Sequence, residues 1–281
     1  MILVVPADVL RPRLPDEHFA AEARAAAEAG IAVAVVDHDG LREPGGAEAA
    51  VARVPRDSGE ALYRGWMLSG NQYSAFAHAL AGRGATLRAS ADQYRHGHEF
   101  PGWYPALASV TPQSAWTAGD LRDDFSRACT SLGPGPAVVR DYVKSMKHYW
   151  DEAAFVPDLS DTAAAWRIAS RFRELREDEF TGGFVVRRFE QFISAEARTW
   201  WVDGTCRLVT AHPDTPGDLP PEGLDLATFA PVIASLNLPF ITADLVQRDD
   251  GVWRVIEVGD GQVSDRPETT SASALVTAIL N

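Results

Sequence analysis

The sequence predicts a mixed protein of α/β and α+β class, with an N-terminal strand–helix–strand lobe followed by a part built on β-hairpins. Near-continuous apolar runs at 2–5 and 31–36 flank an Ala-rich helical segment at 15–30. This order predicts two parallel strands covered by a helix. Further along, Asp-Gly pairs at 203–204 and 250–251 separate strand-like segments, and Asp-Gly is a strong short-range signal for a hairpin turn.

Composition narrows the class of protein. The chain has 281 residues, of which 46% are hydrophobic and 23% charged, as in a globular protein of two or three packed lobes. Its net charge of −13 argues against nucleic acid or an anionic membrane as a partner. The sequence has no basic leader before an apolar run and no apolar stretch of about 20 residues. We therefore expect a cytoplasmic protein.

The N-terminal lobe can be followed element by element. The helical segment at 15–30 has acidic residues in its first turn and ends at Gly30, a residue that commonly stops a helix. The further predicted elements of this lobe are a loop at 44–46, a strand over 61–68, a helix over 74–84 and a Pro- and aromatic-rich connection over 96–107.

The rest of the chain is predicted to hold helices and two hairpins. A helix over 160–178 is amphipathic and has Ser160 or Asp161 as its N-cap, the residue types preferred there. The other predicted elements are a helix over 117–133, a strand over 137–143, a strand over 182–193, a hairpin over 195–211, a loop over 214–223, a helix over 225–236 and a hairpin over 240–258.

The last hairpin carries acidic side chains that suit a metal ion. Asp244 and Glu257 lie on its two strands, and pairing about the turn brings them almost opposite each other. Asp260 follows, between Gly259 and Gly261. Three carboxylates without a nearby histidine or cysteine favour a hard cation such as magnesium. The alternative is a solvated acidic hairpin that binds nothing, since carboxylates are mostly exposed.

A basic segment, VVRDYVKSMKHYW at 138–150, carries Arg140, Lys144 and Lys147 from a strand into a turn or short helix. On a helical turn the two lysines share a face, and such a group of cations could clamp phosphate. A solvated basic face is the alternative. The apolar flanks and the acidic character of the chain make that alternative less attractive.

Two further sites carry unexplained charge. In VVRRFEQFISAEARTWW at 185–201, Glu196 and Arg198 are two apart and share a face of one strand, so they could contact a ligand or form an ion pair worth less than about 1 kcal/mol. Arg64 is a lone cation on an apolar strand. It could clamp a substrate carboxylate or form a structural ion pair, and both possibilities stay open.

The order and spacing of these motifs resemble the ATP-grasp superfamily. The closest likeness is to its subgroup of small proteins marked by an arginine and paired lysines, and it runs through YRGWML, VVRDYVKSMKHYW, VVRRF, ITADL and VIEVGDGQVS over nearly the whole chain. The resemblance implies a nucleotide held between two lobes. It also implies an N-terminal lobe at 1–112, a nucleotide-covering subdomain at 113–190 and a C-terminal subdomain with the metal site at 191–281.

The resemblance further implies roles for individual residues. Lys147 and Arg198 would act in catalysis, Glu190 would contact a ribose hydroxyl, and residues 187–190 would form the hinge that meets adenine. The implied nucleotide-binding set is Arg140, Lys144, Lys147, Arg187, Arg188, Phe189, Glu190, Glu196 and Arg198. The implied metal ligands are Asp244, Glu257 and Asp260, and the implied substrate contacts are Arg64 and Gln262.

The sequence departs from the superfamily pattern in two places. The usual glycine-rich phosphate loop is replaced by DYVKSMKHYW, and Gly259 stands where a metal-binding asparagine is usual. Asp260 and Gln262 are the alternatives for that missing ligand.

The resemblance implies a ligase that uses ATP and Mg²⁺ to join a small-molecule or peptide carboxylate to an amine through an acyl phosphate. Three alternatives remain: a phosphotransferase on the same scaffold, a noncatalytic nucleotide-binding or interaction module, and an unrelated α/β protein. The oligomeric state is open.

Overall fold

Within residues 1–221 and 224–280, which the computed structural model describes, the chain forms three four-stranded sheets. The chain divides into two compact units. The first comprises Met1–Gly97, Ala195–Asp244 and Glu257–Asn281, and the second comprises His98–Ser194 and Leu245–Ile256. The domain boundaries implied by the resemblance stay predictions.

The first unit begins with a parallel sheet, as the alternating strand and helix patterns predict. Its strands are β1 (Ile2–Pro6), β2 (Ala32–Val36), β3 (Gly59–Tyr63) and β4 (Ala85–Leu87), in the order β2-β1-β3-β4. Its helices are α1 (Ala20–Glu28), α2 (His38–Arg42), α3 (Ala47–Ala50), α4 (Gly70–Ala81) and α5 (Ala91–His98). The predicted strand over 61–68 is shorter than expected, since β3 ends at Tyr63.

A second sheet has the order β10-β9-β11-β12. Its strands are β9 (Ala197–Val202), β10 (Thr205–Ala211), β11 (Phe240–Gln247) and β12 (Trp253–Asp260), so both predicted hairpins are confirmed. The helices α9 (Ala230–Ala234) and α10 (Ala272–Leu280) also belong to this part of the chain. Of the predicted loop over 214–223, residues 222 and 223 lie outside the described residues.

The second unit contains an antiparallel sheet of order β5-β8-β6-β7. Its strands are β5 (Ser114–Trp116), β6 (Ala137–Arg140), β7 (Phe155–Val156) and β8 (Val185–Arg188). Its helices are α6 (Phe100–Leu107), α7 (Arg122–Leu132) and α8 (Thr162–Arg176). The predicted cap of α8 is confirmed at Asp161, whose side chain accepts a hydrogen bond from the Ala164 N–H at 2.9 Å.

The prediction of an irregular connection over 96–107 is wrong, because α6 occupies most of it. Pro101 lies in the first turn of this helix, where a missing N–H costs no intrahelical bond. Phe100, Trp103 and Leu107 are all buried and recur at the spacing of one helix face. The packing of these large side chains therefore overrides the proline signal.

Among the described residues, none of the helices has both the length and the apolar character needed to cross a membrane.

Candidate functional site

A cluster of buried charged side chains lies on neighbouring strands of the first unit. Arg198 of β9 donates to Asp244 of β11 through two guanidinium nitrogens, each 2.8 Å from a different carboxylate oxygen. Asp244 is 1% exposed and Arg198 9%. Because β9 lies beside β11, side chains on one face of the two strands meet. The result is a bidentate ion pair that is largely withdrawn from water.

Three carboxylates act on the Arg198 guanidinium. Burial by itself lowers the pKa of Arg198, and Asp244, Glu257 and Glu196, in that order, raise it, so that the pKa ends above its ordinary value. The charges of Asp244 and Glu257, expected from the sequence to lie on one face, therefore both act on the same cation. A surplus of negative charge surrounds one arginine, which is the electrostatic setting that a divalent cation would relieve.

A histidine that the sequence analysis overlooked joins this cluster. His212 is 6% exposed and follows β10. Its Nε2 atom is 3.1 Å from a guanidinium nitrogen of Arg198, 3.5 Å from a carboxylate oxygen of Glu196 and 3.7 Å from Oδ2 of Asp244. The expected absence of a histidine near the carboxylates is therefore wrong.

The residues present fit a divalent cation. Glu196, His212 and Asp244 each offer one ligand atom, and these atoms lie within 4.8 Å of one another. The carboxylate oxygens suit Mg²⁺ and Mn²⁺, whereas the imidazole nitrogen is a ligand that transition metals such as Zn²⁺ prefer. Each carboxylate oxygen of Asp244 keeps a further lone pair beyond the one that accepts from Arg198, so the ion pair does not exhaust the donor set.

Asp260 and Gln262 lie in a separate buried network of the same unit. The Asp260 carboxylate accepts hydrogen bonds from the backbone N–H of Gln262 at 2.9 Å and from its side-chain amide at 3.1 Å. The same amide donates to the Tyr73 hydroxyl at 2.8 Å. Burial, the largest influence, raises the pKa of Asp260 to about 7. The assignments of Asp260 to the metal and of Gln262 to the substrate stay predictions.

This buried carboxyl predicts a pH dependence of stability. In the folded protein the Asp260 carboxyl, with its pKa of about 7, keeps its proton up to about pH 7, whereas in the unfolded chain it ionises near the ordinary pKa of 3.8. Its contribution to the unfolding free energy is therefore fully present below about pH 4 and is lost as the pH rises to about 7. The whole effect is on the order of 4 kcal/mol. Asparagine cannot ionise, so Asp260→Asn should remove this pH dependence of the unfolding free energy.

The measurement is urea unfolding of wild type and Asp260→Asn between about pH 5 and 8. The variant should gain stability relative to wild type as the pH rises. The matched control is Asp249→Asn at the exposed turn of the last hairpin, which should show no such gain. Parallel pH profiles for wild type and Asp260→Asn would show that Asp260 does not carry the effect.

Arg64, predicted to clamp a substrate or to form an ion pair, forms a buried ion pair. It is 1% exposed and donates to both carboxylate oxygens of Glu22 at 2.8 and 3.1 Å. It also donates to the carbonyl oxygens of Gly261 and Ser264. Its donors are thus directed at groups within the protein.

In the second unit, the residues predicted to contact phosphates lie at and after the end of β6. Arg140 is 6% exposed and donates to the carbonyl oxygens of Asp141 and Val143 at 3.2 and 2.7 Å. The helical turn begins only at Lys147. Lys144 lies in the segment before it, and its backbone N–H donates to the Asp141 carboxylate at 2.6 Å. The two lysines therefore do not share one helical turn.

The predicted hinge residues have defined partners in the second unit. Arg187 donates to the carbonyl oxygens of Val255 and Ile256 and to the Thr111 hydroxyl. Arg188 donates to the carbonyl oxygens of Leu132 and Pro134. Both side chains therefore tether β8 to its surroundings.

Phe189 and Glu190 follow β8 directly. Phe189 is 37% exposed, and its ring centroid lies 5.3 Å from that of Phe155. Both carboxylate oxygens of Glu190 accept from Arg254 at 2.9 Å. Contact between Glu190 and a ribose stays a prediction, and it would require an oxygen that Arg254 releases or shares.

Comparison with known proteins identifies related sequences and folds. The matching family is an ATP-grasp domain, the third family of the clade that is marked by one arginine and two lysines, and it matches residues 131–279. Among curated proteins none matches the chain.

Several solved structures share the fold. An ATP-grasp RimK domain protein from Sphaerobacter thermophilus is 17% identical with a TM-score of 0.63, and the match covers 100% of both chains. The D-cycloserine synthetase DcsG is also 17% identical with a TM-score of 0.62, covering 99% of this chain and 100% of that one. The ATP-grasp ligase PsnB, solved with a minimal precursor, Mg and ADP, is 14% identical with a TM-score of 0.55, covering 99% and 97%. The predicted fold class is confirmed.

Proposed function

Since the chain belongs to this third family of the arginine-and-two-lysine clade of ATP-grasp domains, we propose that it is an ATP- and Mg²⁺-dependent ligase that joins a carboxylate to an amine. The observation that carries the proposal is the cluster of the buried Arg198, His212 and Asp244 with the half-buried Glu196, with the charge of Glu257 acting on the same arginine. Proteins of the same fold include the ligase PsnB and the synthetase DcsG.

In this proposal the first unit supplies the metal ligands and one phosphate-binding cation. Asp244 and Glu257 hold the metal ion, Glu196 and His212 complete its surroundings, and Arg198 contacts a phosphate oxygen. When bound, Mg²⁺ supplies charge neutralisation on the phosphates. The Asp244–Arg198 ion pair fixes the position of the guanidinium before the substrate arrives, so little reorganisation is needed.

In the same proposal, Lys144 and Lys147 would contact phosphate oxygens as further cations. The chain contains 26 basic residues, and its two lysines are Lys144 and Lys147. Lysine is a compact point charge with three rotatable donors, whereas arginine is a planar fork. All the other residues in this count are arginines. The position of both lysines in one short segment therefore favours a role for them that arginine does not fill.

The proposed reaction has two steps. A carboxylate oxygen of the acid attacks the γ-phosphorus of ATP, forming an acyl phosphate and releasing ADP. The amine then attacks the acyl carbon, the C–O bond to phosphate breaks, and the products are an amide, inorganic phosphate and a proton. The acid is a small molecule or a peptide, and the acceptor is an amine of a free amino acid, a peptide or a protein. The protein contributes position and charge, so no nucleophilic serine or cysteine is needed.

The first test of this function is thermal unfolding with Mg²⁺-ATP, with ATP plus EDTA, and without ligand. A ligand at 100 times its dissociation constant stabilises a protein by about 2.7 kcal/mol. We expect a metal-dependent rise in the unfolding temperature for wild type that Lys147→Ala reduces. Arg167→Ala, at an exposed position of α8, is the matched control and should behave as wild type.

The lysines allow a second, independent measurement. An amine-selective acylating reagent can modify Lys144, Lys147 and the N-terminal amine of this chain. Mg²⁺-ATP should protect the two lysines and leave the N-terminus reactive, as mass spectrometry would show. If millimolar Mg²⁺-ATP produced no thermal shift and did not protect the lysines, the nucleotide site would be overturned. Phosphorylated product without phosphate release would point to the phosphotransferase alternative instead.

A further inference from the structure

A groove lies along the open edge of the parallel sheet in the first unit. The strand β2 stands at the end of the order β2-β1-β3-β4. Ala7 N–H donates to the Val36 carbonyl at 2.8 Å, so the backbone groups of Val36 and Ala34 face β1. Because successive backbone groups of a strand alternate in direction, those of Val33 and Val35 point away from β1. They line an open groove of about 1080 Å³.

The other wall of the groove is one face of α1. Ala20, Ala23, Arg24 and Ala27 line it and recur at the i, i+3, i+4, i+7 spacing of a single helix face. Three of these four side chains are methyl groups, so an extended chain could approach the helix closely. With Val33 and Val35 opposite, the floor is apolar and shallow.

Arginines surround this apolar floor. Arg11, Arg13, Arg24 and Arg53 line the groove together with a single acidic residue, Glu17. Arg11 pairs with Asp8 at 2.8 Å. Arg13, Arg24 and Arg53 are exposed, and they form no ion pair with any residue in 1–221 or 224–280. A local excess of positive charge in a chain of net charge −13 attracts anionic ligands by charge complementarity.

The loop that leads into α1 adds exposed aliphatic surface beside the arginines. It is closed by the bridge between Ala7 and Pro15 and by the Asp8 N–H, which donates to the Leu14 carbonyl at 2.9 Å. Leu14 lines the groove and is 48% exposed, and Leu10 of the same loop is 90% exposed. Apolar side chains held in water next to unpaired cations are typical of a recognition surface.

We propose that this groove binds an acidic peptide in extended conformation, which adds to the sheet beside β2. The outward backbone groups of Val33 and Val35 would pair with the peptide backbone. The arginines would bind its carboxylates, and the methyl groups of α1 would contact its small or aliphatic side chains. The site is distinct from the cluster around Arg198 and does not depend on the proposed ligase activity.

Charge decides between this occupant and a second copy of the chain. In a two-fold symmetric dimer the same patch would face itself, so the arginines of each copy would meet those of the other. Like charges opposed across an interface disfavour association. An acidic peptide instead brings opposite charge to the same backbone edge.

The test uses fluorescence anisotropy with the full chain and a labelled peptide of alternating glutamate and valine, about ten residues long. We expect binding that weakens as the salt rises from about 0.05 to about 0.5 M. The same peptide with lysine in place of glutamate should not bind. The double variant Arg24→Glu/Arg53→Glu should bind at least about tenfold more weakly. The matched control Arg207→Glu reverses an exposed charge of β10 in the same unit and should bind as wild type.

Two N-methylated probes test the backbone pairing. One carries methyl groups on the glutamate nitrogens, the other on the valine nitrogens, so each lacks the N–H donors of one strand edge. Addition to β2 uses a single edge, so one probe should lose binding and the other retain it. Equal binding of the two probes would show that the groove binds anions without strand addition, and this result would overturn the proposal.

Three other outcomes would also overturn it. The first is no binding at about 1 mM peptide, which corresponds to an affinity too weak for recognition. The second is full binding by Arg24→Glu/Arg53→Glu, whose thermal unfolding serves as the check that it folds. The milder variant Arg24→Gln/Arg53→Gln replaces it if that check fails. The third is a dimer of the wild-type chain that the arginine variants dissociate, which would assign the groove to a second copy.

Discussion

Glu257→Gln is expected to lower turnover by roughly 10² to 10³-fold, the usual effect of removing one group that stabilises charge in a transition state. Glutamine has the same size, so packing is kept. The ion pair between Arg198 and Asp244 is also kept, because its two hydrogen bonds of 2.8 Å do not involve Glu257. The thermal unfolding temperature without ligand should therefore fall only slightly, through the loss of the Glu257 charge that acts on Arg198.

The measurement is the rate of ADP and phosphate release with an acid and an amine substrate, at several magnesium concentrations. The loss should be accompanied by a weaker dependence of the unfolding temperature on Mg²⁺-ATP. Glu48→Gln changes an exposed carboxylate on α3 and serves as the matched control. A fully active Glu257→Gln enzyme would remove Glu257 from the proposed metal ligands, even if nucleotide binding were established.

Local sequence signals predict the hairpins and the parallel strands well, since both depend on short-range rules. The Asp203–Gly204 turn has positive φ at both residues, 48° and 75°, which is the conformation that Asp-Gly favours in a hairpin. The helix α6 was missed because it carries two prolines, Pro101 in its first turn and Pro105 inside the helix, and proline in a helix interior usually breaks it. Burial of the neighbouring aromatic side chains, which decides the outcome, is a tertiary property.

The candidate site was predicted only in part. That His212 belongs to it was not predicted, for a specific structural reason. A regular hairpin with two turn residues would place Ala211 opposite Glu196. The structure has a β-bulge between Cys206 and Leu208 that shifts the register, so that Thr210 pairs with Arg198 and Ala211 with Ala197. His212 is thereby placed across from Glu196. A single extra residue changes every later pairing, and the local sequence offers no clear signal for it.

The partners of the arginines were also beyond prediction from the sequence. Alternation along a strand predicts that Arg187 and Arg188 face opposite sides. It does not predict that Arg187 donates to carbonyl oxygens of residues 255 and 256, which lie far away in the sequence. Such contacts depend on how distant strands assemble, so the chemistry of a charged side chain could be anticipated while its partner could not.

Arg64→Met is expected to have the largest effect on stability, a loss of about 3–5 kcal/mol in the unfolding free energy. The change leaves the Glu22 carboxylate 4% exposed without its two guanidinium donors. Arg266, whose Nε lies 3.6 Å from that carboxylate, remains as a neighbouring cation. The carbonyl oxygens of Gly261 and Ser264 also lose a donor, and unsatisfied buried acceptors add to the cost.

A double-mutant cycle with Glu22→Leu separates the ion pair from the rest of the effect. Replacing both charges by apolar side chains of similar volume is often close to neutral, so Arg64→Met/Glu22→Leu should recover part of the loss. The two carbonyl oxygens keep the recovery incomplete. Urea unfolding followed by tryptophan fluorescence measures the cycle, with the exposed Arg207→Met as the matched control.

The single variant Arg64→Met also decides between the two roles that the sequence left open for Arg64. A structural ion pair requires that Arg64→Met lose stability while the KM for the acid substrate, measured well below the unfolding temperature, stays near that of wild type. A substrate clamp requires the reverse, a raised KM with stability retained, since uniform binding energy would be lost without a change in the fold. The geometry favours the first outcome, because the donors of Arg64 are already directed at Glu22, Gly261 and Ser264.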